Sequence, residues 1–507
     1  MGSPSIDGQS IPGHRGARIA SFVHSYADLP GQFYARIAPT PVVAPRLVAV
    51  NRPLAAELGL DVEALAPEDL AAMFSGNALP QGAVPIAMAY AGHQFGHFVP
   101  QLGDGRAILL GEVRDVAGGL RDIQLKGAGR TPFSRSGDGR AALGPVLREY
   151  LVGEAMQALG IPATRALAAV TTGERIAREG MVPGAVLTRV AASHVRVGTF
   201  QFFAARADFA SVRRLADYVI DRHFPDARAA ARPHLALLEA VTERQALLIA
   251  RWMQVGFIHG VMNTDNMSVS GETIDFGPCA FMDSYDPEAV FSSIDQRGRY
   301  AYGNQPAAAQ WNLARLAETL LPLLDADPAR AIELATEAVS GFSTSFDGHW
   351  LAGMRSKFGL RTAETADLEL IRRFLDLLQA NQADFTLAFR RLSDAALGEE
   401  SDAALRALFA NRPASDDWVA AWRSRLTHEP LDAGTRAEAM RRVNPAYIPR
   451  NHRIEQAIVS AVEHQDYSVF FALLSALSQP YLESAALDGY ARPPLPGERI
   501  TQTFCGT

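Results

Sequence analysis

The sequence predicts an α+β fold in two lobes, strand-rich first and helical second, with an N-terminal extension and helical C-terminal additions. Three observations carry this. A glycine-rich aromatic run leads into two alternating segments, Ala107–Val113 and Arg121–Lys126, joined at Gly118–Gly119 as a β-hairpin would be. Residues 141–159 place Leu143, Val146, Leu147, Tyr150, Leu151 and Leu159 at helical spacing, and β-type runs follow at Ala166–Thr171 and Ala185–Val190. From about residue 205 the patterning turns helical, with Pro233–Val255 as a long, mostly buried helix.

Taken in order, residues 1–85 read as a wrapping extension rich in Pro and Ala, with short helical patterns at Pro53–Leu60 and Asp61–Met73. The strand-rich lobe spans 86–200 and the helical lobe 201–400, and a helical region with a proline-rich tail occupies 401–507. Within the helical lobe, Met267–Val269 and Thr273–Ile274 are expected as short strands around a Ser270–Gly271 turn. Beyond residue 300, helices are expected at Gln310–Leu323, Ala329–Gly341, Ala366–Ala380, Arg453–Glu463 and Ser468–Leu477.

At 507 residues, 48% hydrophobic and 20% charged, the composition is that of a folded globular protein large enough for several structural units. The charge, 48 basic against 55 acidic residues, sums to −7, a sign that repels phosphate backbones and anionic lipid and argues against nucleic-acid or membrane partners. No uncharged apolar run approaches the ~18–20 residues of a bilayer span, and residues 1–30 lack a secretory pattern. A cytoplasmic monomer is the expectation. Cys279 and Cys505 are too few for a disulfide framework, which fits a reducing compartment. Their pairing would tether the tail over the site described next, and two unpaired thiols are the plainer reading.

Of the 48 basic residues only Lys126 and Lys357 are lysine. A compact ammonium is not replaceable by a planar guanidinium where one point charge must meet phosphate oxygens, so Lys126 stands out. It ends the second hairpin strand, behind the glycine turn Gly103–Arg106 (GDGR) and ahead of a helix bearing Glu149. That order matches the phosphate-handling lobe of a protein-kinase-like fold, in which a helix glutamate orients the lysine. Glu154, on the same helix, is an equal candidate by spacing.

Asn266 precedes Asp275-Phe276-Gly277 by nine residues, and an amide oxygen and a carboxylate so placed suit Mg²⁺ on a triphosphate. Phosphotransferases of this architecture carry an aspartate five residues before that asparagine. Here the position is Val261, which cannot accept a proton. Either the chain is a silent ATP-binding scaffold, or it uses another base, for which Asp265 is the available carboxylate. A conventional phosphotransferase is the reading that Val261 disfavours. Arg189 and Arg196 are candidates for clamping phosphates. His93 and His97 lack the helical context of a zinc pair and are assigned to packing or capping.

The runs YAGHQFGHFVPQLGDGRA, IQLKGAGRTPFSRSGDGRA, LREYLVGEAM, TRVAASHVRVGTF and FIHGVMNTDNMSVSGETIDFGP resemble the selenoprotein O family of protein adenylyltransferases, clearly so over about residues 85–305. The run NPAYIPRNHRIEQAI (444–458) and a cysteine near the C-terminus are also similar to the family. The resemblance implies a pseudokinase fold that binds ATP inverted and transfers AMP to Ser, Thr or Tyr hydroxyls of proteins, releasing diphosphate, with Mg²⁺ or Mn²⁺. It assigns Gly103, Gly105, Arg106, Lys126, Asp138, Gly139, Arg189, Arg196 and Asp275 to the nucleotide, with Glu149 orienting Lys126. Asn266 and Asp275 would hold the metal, and Asp265 would be the catalytic base. Neither the acceptor proteins nor a preference for ATP over UTP follows. Family members with a redox switch place the partner cysteine in a later loop, where this chain has Phe291 and Ser292, so a Cys279–Cys505 redox pair departs from that pattern.

Overall fold

Ile123 and Leu125 pack on one face of their strand while Gln124 and Lys126 lie on the other, and this alternation sets the layering of the first half of the molecule. The computed structural model describes residues 17–410 and 412–504. Its main sheet has eight strands, all paired antiparallel: β1 (Tyr34–Arg36), β2 (Arg46–Val50), β3 (Ile86–Met88), β6 (Ala107–Arg114), β7 (Leu120–Lys126), β8 (Ala141–Ala142), β9 (Arg165–Ala177) and β10 (Met181–Ala191). The order is β1-β3-β6-β7-β10-β9-β2, with β8 on β10. A separate hairpin joins β4 (Gly92–Gln94) to β5 (His97–Val99). The expected hairpin is present as β6 and β7, and its register sets Ala107 opposite Lys126, with Leu187 of β10 on the other side.

Residues 34–36 and 46–50 supply both edges of this sheet, so the segment before residue 85 does more than wrap it. Three to five residues between prolines give too short a run for alternation to register. Helices α1 (Arg52–Glu57) and α2 (Pro67–Ser75) then cover one face, burying Leu54, Leu70 and Phe74 against Ile108, Leu110, Ile123, Leu125, Val170 and Val186. On the other face lies α3 (Leu143–Ala158), whose Leu147 and Leu151 join the larger core.

The rest is mainly helical, apart from the short antiparallel strand pair Phe257–Ile258 and Ala280–Phe281: α4 (Val197–Ala204), α5 (Phe209–His223), α6 (Pro233–Val255), α7 (Gln305–Leu324), α8 (Pro328–Lys357), α9 (Asp367–Ala380), α10 (Phe385–Ala395), α11 (Ala403–Arg406), α12 (Arg412–Leu426), α13 (Ala433–Arg441), α14 (Asn451–His464), α15 (Ser468–Leu477) and α16 (Asp488–Ala491). Helix α6 has the expected bounds. Helix α8 runs well past its expected end, through Gly341-Phe342-Ser343-Thr344-Ser345, poor helix formers that packing against α6 and α7 holds helical. Helices α10, α12 and α13 were not expected; the last two are rich in charge, and α13 buries only Ala437 and Met440. The two strands expected at 267–274 reduce to one bridge, Met267 with Thr273. Their backbone groups bond outward instead: Ser268 O accepts from Gln245, and Thr273 O accepts from Thr164 N.

The C-terminal helices return to the sheet. Tyr150 of α3 meets Phe470 of α15 edge-on at 5.6 Å, and Arg148 pairs with Glu455 of α14. Arg450, fully buried, binds Asp384 at 2.8 Å and Asp283 at 2.5 Å, fastening α14 to the stretch after Gly277. Farther on, Thr503 runs parallel to Ser292, donating its N–H to Phe291 O at 2.7 Å. No helix of the described residues is long and apolar enough to cross a membrane.

Candidate active site

A cleft of about 1000 Å³ opens beside the sheet, and Gly103, Gly105, Arg106, Lys126, Asp138, Gly139, Arg189, Arg196, Asp265, Asn266 and Asp275 all line it. Residues expected from segments 172 positions apart therefore meet at one place, Gly103 from the turn before β6 and Asp275 from the loop after α6. Glu149 stands behind Lys126, its Oε2 accepting from Nζ at 2.5 Å. Glu154, the rival, is engaged by Arg165 at 2.7 and 2.8 Å, so geometry separates the two glutamates that spacing could not.

Around this pair the positive charges converge. Arg189 Nη1 lies 3.3 Å from Glu149 Oε1, and its fork also holds Gln124 Oε1. Arg196 lies over the Tyr90 ring at 4.3 Å, donates to the Asp265 carbonyl at 3.1 Å, and has Asp104 at 3.6 Å. Gly103 takes φ of 75°, and a Cβ there would fall 2.3 Å from the Phe133 ring, so the turn needs glycine on both counts. Asp138 lies at the outer rim, bound through both oxygens to Arg178 at 2.9 and 3.1 Å.

Burial alone would raise the Asp275 carboxyl, yet Lys126, 3.4 Å away, and Arg106 hold it well below the carboxylate range. Asn266 donates an amide N–H to Val261 O at 3.0 Å and lines the cleft, and that bond leaves its amide oxygen uncommitted. A carboxylate and an amide oxygen are the hard donors that Mg²⁺ or Mn²⁺ takes when phosphates complete its shell, so the donor chemistry fits such an ion.

Asp265 is buried, and burial raises its carboxyl to about 6 against the opposing charge of Arg196. Gln94 donates to Oδ2 at 3.3 Å, while Oδ1 has no hydrogen-bond partner. Gly92 lies against it: a Cβ there would be 2.6 Å from Oδ1. Val261, in the place of the usual base, is buried and apolar. Sequence reasoning missed Gln94, Tyr90 and Asp104. The first two sit in an aromatic run with no diagnostic spacing, and Asp104 was passed over as part of a turn.

His93 and His97 lie on the β4–β5 hairpin, not on a helix, and His93 Nδ1 pairs with Gln201 at 2.8 Å. Cys279 is buried, with Sγ donating to Phe276 O at 3.2 Å, and burial pushes its thiol up to about 12. Cys505 lies outside the described residues, and with it the Cys279–Cys505 pair that the sequence left as an alternative to two unpaired thiols.

Comparison with known proteins supplies the class. The protein nucleotidyltransferase YdiU of Rhizobium meliloti (strain 1021) is 64% identical over 486 residues, 96% of this chain and 99% of the relative. Its namesakes in Rhizobium rhizogenes and Rhodopseudomonas palustris (strain BisB5) are each 62% identical, over 505 and 486 residues, covering 100% and 96% of this chain and 99% of each relative. This is a nucleotidyltransferase. The family model described as protein adenylyltransferase SelO matches residues 18–478, and the chain belongs to that family.

Proposed function

We propose that the protein is a two-lobed, kinase-like enzyme that transfers AMP from ATP to serine, threonine or tyrosine hydroxyls of other proteins. The lobes would span residues 86–200 and 201–400, with 401–507 as an addition and 1–85 as one that completes the first lobe through the edge strands β1 and β2. The observation that carries this reading is Asp265: a carboxylate lining the cleft beside a Val261 that removes the ordinary phosphotransferase base.

Lys126, Arg106, Arg189 and Arg196 bind the polyphosphate, and Glu149 fixes the ammonium of Lys126 in place. Gly103, Gly105 and Gly139 allow close backbone approach, and Asp138 orders the rim. Asn266 and Asp275 would hold a divalent cation, Mg²⁺ or Mn²⁺, whose charge offsets that of the phosphates. Asp265, ionised above about pH 6, accepts the proton of the acceptor hydroxyl. The hydroxyl oxygen bonds to the α-phosphorus, the bond from that phosphorus to the bridging oxygen breaks, and diphosphate leaves with the electron pair.

Intact mass spectrometry of the protein with a generic acceptor, ATP and Mg²⁺ or Mn²⁺ tests this. A gain of one AMP on either protein is expected. A gain of one phosphate, or no gain while ATP binds, overturns it.

A further inference from the structure

The β4–β5 hairpin has an inner and an outer side. Inward, Gln94 reaches Asp265, His93 N–H donates to Thr264 Oγ1 at 2.7 Å, and Phe95 N–H donates to Asn263 Oδ1 at 3.0 Å. Outward, it presents Phe98, 40% exposed, its ring tilted against that of His93 at 4.9 Å, and His93 meets Trp311 edge-on at 5.2 Å. A docking shelf thus lies next to the carboxylate proposed to activate the acceptor.

Arg299 lies on this shelf. Its guanidinium sits 4.7 Å over the Trp311 ring and 5.7 Å from that of Tyr300, and its Nη1 is 3.5 Å from where a Gly96 Cβ would stand. The nearby acid, Asp295, is spent on the backbone N–H groups of Arg299 and Tyr300, at 3.0 and 2.8 Å. Arg315, on the same ring at 5.0 Å, has its own partner in Glu318 at 2.7 Å. Arg299 makes no ion pair among the described residues, its side chain hydrogen-bonding Tyr300 instead. Burial depresses the proton affinity of His93, and Arg315 and Arg299 depress it further, which marks the local field as positive on a chain of net charge −7. A guanidinium laid on aromatic rings has lost most of its freedom beforehand and offers a fork suited to a carboxylate.

Building on the AMP-transfer reading, we propose that Arg299 binds an acidic side chain of the acceptor protein beside the hydroxyl to be modified, so that the enzyme selects hydroxyls within extended acidic segments. Arg299 does not line the nucleotide cleft, so its partner is the acceptor and not ATP.

Two peptides with one central serine, flanked by aspartates in one and lysines in the other, test this with ATP, wild type, Arg299→Ala and Arg299→Glu. AMP incorporation is read by mass, and ATP affinity is measured in parallel. Wild type should favour the aspartate peptide, Arg299→Ala should lower kcat/KM for it about tenfold, as loss of one charge-assisted contact does, and Arg299→Glu should reverse the preference. ATP affinity should stay unchanged throughout. Equal use of both peptides by wild type, or an aspartate preference that survives Arg299→Glu, overturns the inference alone. No AMP on either peptide or on the enzyme overturns the AMP-transfer reading and the inference with it.

Discussion

The Glu149 carboxylate accepts from Lys126 Nζ at 2.5 Å through one oxygen and faces Arg189 at 3.3 Å through the other. It is the anion that keeps two cations together beneath the cleft. Removing one partner of a buried pair costs on the order of 3–5 kcal/mol because the remaining charge is left without compensation. Glu149→Ala should therefore lower the melting temperature and weaken ATP binding together, whereas Glu154→Ala should spare ATP binding. Calorimetric titration with ATP separates the two.

Asp265→Asn should keep the shape of the site and lose its base. Turnover is expected to fall ~10²–10⁴-fold with ATP affinity unchanged. A matching loss of ATP affinity would move Asp265 from proton transfer to nucleotide binding.

Gly92→Ala should act on Asp265 from outside the cleft, because the added methyl would stand 2.6 Å from Oδ1. Either the β4–β5 hairpin or the carboxylate must move. AMP transfer should drop at least ~10-fold, since small misplacements of a reacting group are costly, while circular dichroism and ATP binding remain those of wild type.

Glu272 gives a dependence on pH. Its carboxylate accepts from Ala192 N–H at 2.8 Å and Ser270 Oγ at 3.1 Å, and burial pushes it up to about 7. A folded value above the unfolded one means that stability is fully present below about pH 4.5 and is lost as pH rises through about 7. Glu272→Gln keeps an acceptor oxygen and cannot ionise. Its gain over wild type should be near zero at pH 4.5 and grow to as much as ~3 kcal/mol by pH 8. Chemical denaturation at the two pH values measures this, and an equal difference at both would mean that the carboxyl is not shifted.

Arg450→Leu should strand Asp384 and Asp283 as unpaired acids in the interior. A loss of ~3–5 kcal/mol is expected, and pairing it with Asp384→Asn and Asp283→Asn should recover part of it, as melting of the triple variant would show.

Local chemistry was the legible part. Lys126 stood out because a lysine-poor chain kept one at the end of a strand, and Asn266 and Asp275 because nine residues separate them at a turn. The structure brings all of these to one cleft. What spacing could not decide was direction: Glu149 and Glu154 share a helix, and only the side on which Lys126 and Arg165 stand distinguishes them. Gln94 was invisible because its partner lies 171 residues away. The strands expected at 267–274 failed for a related reason, since backbone groups that alternation assigned to each other are bonded to Gln245 of α6 and to Thr164, just before β9, instead. Helix α13 buries only Ala437 and Met440, and the short stripe of α12, Trp418, Trp422 and Leu426, is interrupted by the charges of Asp416, Asp417, Arg423 and Arg425.

The helix that carries Glu149 is covered by α14 and α15, roughly three hundred residues later in the chain. A ribosome makes the nucleotide-handling strands first and the cover for their glutamate near the end. Until then the α3 face that receives Phe470 stays open to water and Arg148 lacks Glu455. Order of synthesis thus leaves the backing of Glu149 until last: a chain stopped before α14 would carry the cleft residues without the packing that covers their helix.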